Sequence, residues 1–363
     1  MTRSMSRVIG VGVCLLGVLV ALPALADVKW AEVPYGEIIK QAQTKDQHVF
    51  VDFYTTWCGP CKKLEKVTYK DEKVIAFLNE MIAVKYDAEK DEGETLAKEF
   101  KVNAYPTLIL IGPDGKEIDR HLGYLDPDEF VKVLTDYKNG IGTVAFYEER
   151  VKNDPKDPEA WKTLGMKHAD AGRMEKATKA LKTFLDLSPD VAGDEKAEVI
   201  YALADVNYRS ESYDRALELY GKMTEEFADS EWHDRALVMG ARAHHKNGNA
   251  DECIEWYLTY VDRHPDDPKA MNSFAWFCAS KKVGMDRALP VALKAVELSG
   301  RDASILDTLG ELYYAMGEYD KAIEIGEEAV EKDPEDKYLA DQLEKFNKAK
   351  KDSREEAKKQ AKK

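Results

Sequence analysis

Between residues 27 and 139 the apolar positions switch repeatedly between two periods. Residues 48–54, His-Val-Phe-Val-Asp-Phe-Tyr, are nearly all β-branched or aromatic and predict a buried central strand. Helical stretches are expected over 60–69 and 73–79, a second strand over 81–86, and a helix over 92–100. Residues 107–111 and 116–122 flank Gly112-Pro113-Asp114-Gly115, a hairpin signal. A helix over 126–137 closes the unit, with Asp126 or Asp128 placed to cap it. Strand, helix, strand, helix, hairpin and helix make an α/β sandwich of roughly 110 residues, enough for its own core.

Beyond Gly140-Ile141-Gly142 the pattern becomes all-helical and self-similar. Gly165, Ala204, Ala241, Ala275 and Gly310 align at spacings of 39, 37, 34 and 35 residues. Twelve or thirteen positions further on stand Ala177, Ala216, Cys253, Ala288 and Ala322, and prolines 189, 265 and 334 end three units. Small residues at two fixed sites let paired helices approach closely, and the proline stops the second helix. The organisation expected is a linker helix over 141–156, five repeats over 157–336, and a capping helix with a Lys-rich tail over 337–363.

The N-terminus has a different texture. Arg3 and Arg7 precede an apolar run over 8–22, and Ala24-Leu25-Ala26 ends it. A basic start, a short apolar core and small residues at the cleavage site read as a secretory signal peptide cut after Ala26. The run is too short and Gly-rich for a permanent anchor. The expected location is therefore periplasmic or otherwise extracytoplasmic, and Cys14 leaves with the leader. Loss of Arg3 and Arg7 takes the formal charge from −15 to −17. No basic excess remains to neutralise phosphates, which excludes a nucleic-acid-wrapping protein. Five cysteines are too few to staple 363 residues, so each must be read singly.

Trp57-Cys58-Gly59-Pro60-Cys61-Lys62 directly follows the expected strand and opens the expected helix. A cysteine at a helix N-terminus faces the positive end of the dipole and free backbone N–H groups, which stabilise its thiolate. The thiolate is the attacking species in disulfide exchange, so Cys58 is the expected nucleophile and Cys61 the more buried resolving thiol. A zinc site needs four ligands, and no second pair stands at metal spacing; His48 and His121 are isolated.

These residues resemble the thioredoxin family, over about 30–138. The resemblance implies the α/β thioredoxin fold and a thiol–disulfide oxidoreductase, specifically a protein-disulfide reductase. It implies no cofactor beyond a redox-active Cys58–Cys61 disulfide and no metal. Asp52 matches the family's buried acid, which accepts a proton from the resolving cysteine. Lys85 matches the lysine paired with that acid. Pro106 matches the cis-proline that offers backbone groups to the substrate chain, and Gly123 a glycine lining the same groove. The Gly59-Pro60 pair is that of reducing thioredoxins, and Trp57 precedes the dithiol as in the family. Two features depart: Tyr105 is bulkier than the usual residue before the proline, and 87–94 is an acidic, insertion-like stretch. Disulfide-containing proteins are the implied substrates, and reduction in an oxidising compartment implies a membrane-linked electron donor. Two rival readings are a scaffold or holdase whose thioredoxin domain only docks partners, and a disulfide oxidase or isomerase.

The helical units resemble tetratricopeptide repeats. The residues that carry the match are Trp161, Leu164, Gly165, Gly172, Ala177 and Pro189 in unit one, and Leu309, Gly310, Tyr313, Gly317, Tyr319, Ala322 and Pro334 in unit five. Units two and three are degenerate. The resemblance implies an all-α solenoid whose first helices line a concave face. By position Tyr201, Tyr208, Arg242, His245, Trp276, Glu311 and Tyr314 project there, suiting a peptide or protein guest. The alternative is that some of them fill the packing between units. Cys253 and Cys278 read as buried small hydrophobes, with a disulfide between neighbouring units left open.

Overall fold

A computed structural model describes residues 27–360, without the side chain of Ala357. The signal peptide expected over 1–26, Cys14 included, lies outside the described residues. Backbone contacts divide the described residues into two units, the first ending at Thr143 and the second beginning at Val144.

The first unit is built on four strands, β1 (Val49–Tyr54), β2 (Ile82–Asp87), β3 (Thr107–Ile111) and β4 (Glu117–Leu122). They lie in the order β2-β1-β3-β4, with β1–β2 parallel and the other two pairs antiparallel. Five helices, α1 (Tyr35–Lys45), α2 (Gly59–Lys66), α3 (Glu72–Asn79), α4 (Asp91–Glu99) and α5 (Pro127–Lys138), cover the two faces. The period-two alternation of β1 sorts its side chains between two cores. Val49, Val51 and Phe53 pack with Ile109, Ile111 and residues of α1 and α4. Phe50 faces the other way, with Leu108, Leu110, Leu64 of α2, Val74 and Leu78 of α3, and Phe130 of α5. Asp52 shares the parity of Phe50, so the sequence of β1 itself sends this acid beneath α2.

Two local features differ from the sequence expectation. The helix expected over 60–69 stops at Lys66, and a 3-10 turn, Thr68–Lys70, follows. There the Thr68 hydroxyl donates to Leu125 O at 2.7 Å rather than to its own helix. Helix α1 was not anticipated, although Tyr35, Ile38, Ile39 and Ala42 keep the i, i+3, i+4, i+7 spacing. Of the two candidate caps of α5, Asp126 is the one used. It accepts from Glu129 N at 2.9 Å while Glu129 reaches back to Asp126 N, a capping box.

The second unit is helical throughout among the described residues. After α6 (Val144–Asn153) come five helix pairs: α7 (Pro158–Asp170) with α8 (Met174–Leu187), and α9 (Gly193–Arg209) with α10 (Tyr213–Glu226). Next are α11 (Trp232–Lys246) with α12 (Ala250–Arg263), α13 (Pro268–Lys281) with α14 (Met285–Leu298), and α15 (Ala303–Ala315) with α16 (Tyr319–Lys332). The small residues of the repeat pattern sit at the crossings: Ala177, Ala216, Cys253, Ala288 and Ala322 are wholly buried. A Cβ on Gly165 would come within 2.6 Å of Leu181, so the first pair closes only because that position has no side chain. One continuous helix, α17 (Lys337–Gln360), follows the last pair and buries Phe346 against Gly310 and Gly326. A solenoid must end this way, with a helix that covers the last unit's open face.

Candidate active site

The turn after β1 delivers Cys58 to the first residue before α2, where it acts as the helix N-cap, and Pro60 occupies an early helical position that needs no N–H donor. Its sulfur accepts from the Cys61 backbone N–H at 3.1 Å. Cys58 and Cys61 form a disulfide, with Cα atoms 5.3 Å apart. The expected order of burial is not found: both are buried, Cys58 at 4% exposure and Cys61 at 7%. The bond ties the Cys58 sulfur back over the first turn of α2, which shelters it as well as its partner.

Around the dithiol the Tyr105–Pro106 peptide is cis, and Pro106 O accepts from Gly123 N at 2.8 Å. Gly123 has φ +97°, a conformation that favours glycine. Trp57 is 60% exposed, yet its indole is fixed. Its N–H donates to both carboxylate oxygens of Glu89 at 3.0 Å, and its ring meets Tyr105 edge-on with centroids 6.0 Å apart. Glu89 belongs to the acidic, insertion-like stretch over 87–94, where no functional residue is expected, and its spacing from Trp57 gave no signal. At Gly59 a Cβ would meet nothing within 4 Å, so the surface over the first turn of α2 is open.

Beneath α2, Asp52 is buried and accepts a hydrogen bond from the Tyr69 hydroxyl at 2.8 Å. Burial raises its pKa from 3.8 to about 7, against the lowering pull of Tyr69 and of the Lys85 charge; Glu65 adds to the rise. Lys85 stands opposite Asp52 in the β1–β2 register, but its ammonium donates to Glu65 Oε2 at 3.0 Å and lies 5.1 Å over the Trp30 ring. The direct Lys85–Asp52 pair implied by the resemblance is thus corrected. A long lysine stem on the sheet takes the half-exposed carboxylate at its tip, not the one buried at its base. A pocket of about 170 Å³ is lined by Cys61, Asp52, Lys85 and Glu65 together, with Thr55 and Lys62 also on its wall. Glu65 lies four residues after Cys61 on the same helix face, a legible spacing; Tyr69, seventeen residues from Asp52, carried no such signal. A carboxyl held near neutrality in a pocket that opens on one cysteine is able to take up or return a proton there.

The seven positions expected on the repeat array's inner face do not share one fate. Tyr208, Arg242, His245 and Trp276 line one pocket of about 320 Å³. Tyr201 packs between Tyr220 and Trp232, with ring centroids at 6.0 and 5.1 Å, and belongs to the core of its unit while also edging a second, shallower pocket. Glu311 and Tyr314 are a correction: α17 covers them. Lys345 pairs with Glu311, and Tyr314 packs on Phe346 at 5.5 Å with the Lys345 ammonium 4.8 Å above its ring. Cys253 and Cys278 are free, buried thiols, pushed up by burial to about 11 and about 12. The disulfide left open between them is not formed.

The thioredoxin-like domain family model matches residues 35–138. Thioredoxin of Chlamydia trachomatis is 37% identical over 90 residues, which cover 25% of this chain and 82% of that protein. The chain belongs to the thioredoxin family through its first unit. It is also 34% identical over 97 residues to the thiol:disulfide interchange protein DsbD of Yersinia pestis, covering 26% of this chain but only 16% of that protein. The solution structure of a putative disulphide-isomerase from Bacteroides thetaiotaomicron is 39% identical, over 31% of this chain and 94% of that one, with a TM-score of 0.28. Tetratricopeptide repeat models match 201–268 and 303–336, so the degenerate second and third units are recognised as well as the fifth. The protein is a thiol–disulfide oxidoreductase in which a thioredoxin unit precedes a tetratricopeptide array. No helix among the described residues is long and apolar enough to cross a membrane.

Proposed function

We propose that the protein acts outside the cytoplasm as a reductase of protein disulfides, with the repeat array recruiting a client or partner. The observation that carries this reading is the shared pocket of Cys61 and Asp52 beneath a helix that Cys58 caps. In the reduced enzyme, the Cys58 thiolate attacks one sulfur of a client disulfide, forming a mixed disulfide and releasing the other client sulfur as thiolate. Asp52 takes the proton of Cys61, and the Cys61 thiolate attacks the Cys58 sulfur. The Cys58–Cys61 disulfide forms, the second client sulfur leaves, and two electrons have passed to the client. The released thiolates take up protons, one of them returned from Asp52 through the pocket. Trp57, Tyr105, cis-Pro106 and Gly123 form the surface along which the client backbone lies. A dithiol donor then reduces Cys58–Cys61, and in an oxidising compartment that donor is membrane-linked. The basic, apolar and small-residue pattern of 1–26 supports export, and likeness to thiol:disulfide interchange proteins supports exchange with protein partners.

The test is insulin reduction by the mature chain with dithiothreitol as donor, alongside the dithiol potential. The expected result is turnover abolished by Cys58→Ser and a potential near that of thioredoxin, about −270 mV. Absence of turnover, or a potential well above about −200 mV, refutes the reductase reading. Cys61→Ser, which halts the cycle at the mixed disulfide, then captures the clients covalently.

A further inference from the structure

Three successive first helices of the repeats, α9, α11 and α13, enclose the pocket of about 320 Å³ noted above. Its wall has two chemistries. Tyr208, Phe277 and Trp276, the last 42% exposed, supply aromatic surface. Arg242 and Lys246 on α11 and Lys281 on α13 supply three positive charges, and no Asp or Glu lines the pocket. None of the three cations is ion-paired among the described residues, whereas the neighbouring Arg263 and Arg209 are taken by Asp234 and Asp205. Burial, with the charges of Lys281 and Lys246, holds the His245 imidazole below its ordinary pKa, so the pocket's histidine is neutral at pH 7 and its field comes from the three fixed cations.

We propose that this groove binds an acidic peptide segment of a protein partner, carboxylates on Arg242, Lys246 and Lys281 and an apolar side chain against Trp276. The proposal rests on the recruiting role given to the array and names its ligand class. Charge complementarity decides for a peptide over a polyanion. The whole chain carries −15, which repels a long nucleic acid, while a short segment seated within about 10 Å of three unpaired cations feels the local field. Aromatic faces beside the cations suit aliphatic and aromatic side chains of such a segment and exclude water from the ion pairs.

The probe is a fluorescein-labelled peptide Glu-Phe-Glu-Asp-Leu-Glu-Asp-Phe-Glu, read by anisotropy against the full chain, with a counterpart in which every acid is its amide. The acidic peptide is expected to bind at least about tenfold tighter than the amide peptide at low salt, with the gap closing as salt rises. Arg242→Gln/Lys281→Gln weakens it at least tenfold and Trp276→Ala also weakens it, while Arg242→Lys retains binding. Equal binding of the amide peptide, undiminished binding by the double variant, or tighter binding of a single-stranded oligonucleotide of equal charge overturns the proposal. Failure of the wild-type chain to reduce insulin overturns the function on which it rests, and peptide binding reads the groove separately.

Discussion

The substitution Asp52→Asn isolates the effect of burying an ionisable carboxyl under α2. Folding raises the Asp52 pKa from 3.8 to about 7, burial being the leading cause. Between these values the folded protein holds a proton that the unfolded chain has released. Stability therefore falls as pH climbs through that window and levels off above about 7. Roughly three pH units at about 1.4 kcal/mol each give about 4 kcal/mol of lost stability by pH 8. The replacing amide keeps the shape and an acceptor for the Tyr69 hydroxyl but never ionises, so the variant escapes the loss. Differential scanning calorimetry of the full oxidised chain from pH 4 to pH 8 measures this. The transition to follow is the one that shifts when Cys58–Cys61 is reduced, since it marks the redox unit. The variant is expected to match the wild type near pH 4 and to exceed it by up to about 4 kcal/mol at pH 8. A gap that stays constant with pH, or a variant less stable at pH 8, refutes the reasoning, because ionisation of Asp52 would then not be the source.

Two further substitutions probe contacts that the sequence did not reveal. Phe346→Ala removes the wholly buried ring that seats α17 on Gly310, Gly326 and Tyr314, a loss of about 3–5 kcal/mol for a core aromatic. Trypsin is then expected to cut within 337–360 much faster than in the wild type, and an unchanged rate would show that α17 docks by other means. Glu89→Ala frees the Trp57 indole, so its N–H resonance in a 15N-edited NMR spectrum moves toward that of free indole, while Glu89→Gln holds it nearer its original place. Insulin reduction falls less than about tenfold in Glu89→Ala, as for other exposed polar contacts.

The dithiol was legible because its chemistry forces several residue types into one short stretch at a strand-to-helix junction. The repeats were legible because close helix crossings demand small residues at fixed spacing, and those positions are buried as the spacing required. What escaped depends on which side chain reaches which. Strand register puts Lys85 next to Asp52, but register describes backbones, and a flexible four-carbon stem reaches past its neighbour to Glu65. The expected positions of Glu311 and Tyr314 follow from repeat phase, which names a helix face without saying that a later segment lies over it. Leu343 and Phe346, the apolar residues of α17 packed with Tyr314, are sparse in an otherwise charged helix. Glu89 sits in a loop, where no period links it to Trp57.

The corrected lysine pairing bears directly on the proton step. Were Lys85 bonded to Asp52, the ion pair would pull the carboxyl down toward the ordinary carboxylate range. Such a carboxylate is too weak a base to take a proton from a thiol whose ordinary pKa is about 8.5. With the ammonium committed to Glu65, the pull of Lys85 on Asp52 is partly cancelled by the carboxylate beside it, which itself raises the Asp52 pKa. Burial then dominates, and a carboxyl resting near neutrality is able to accept and to return a proton at little cost. Tyr69 limits the rise by donating to the ionised form. Four residues from β1, α2, the turn after it and β2 thus set one pKa, and Glu65, absent from the motif that announced the site, helps to hold it there.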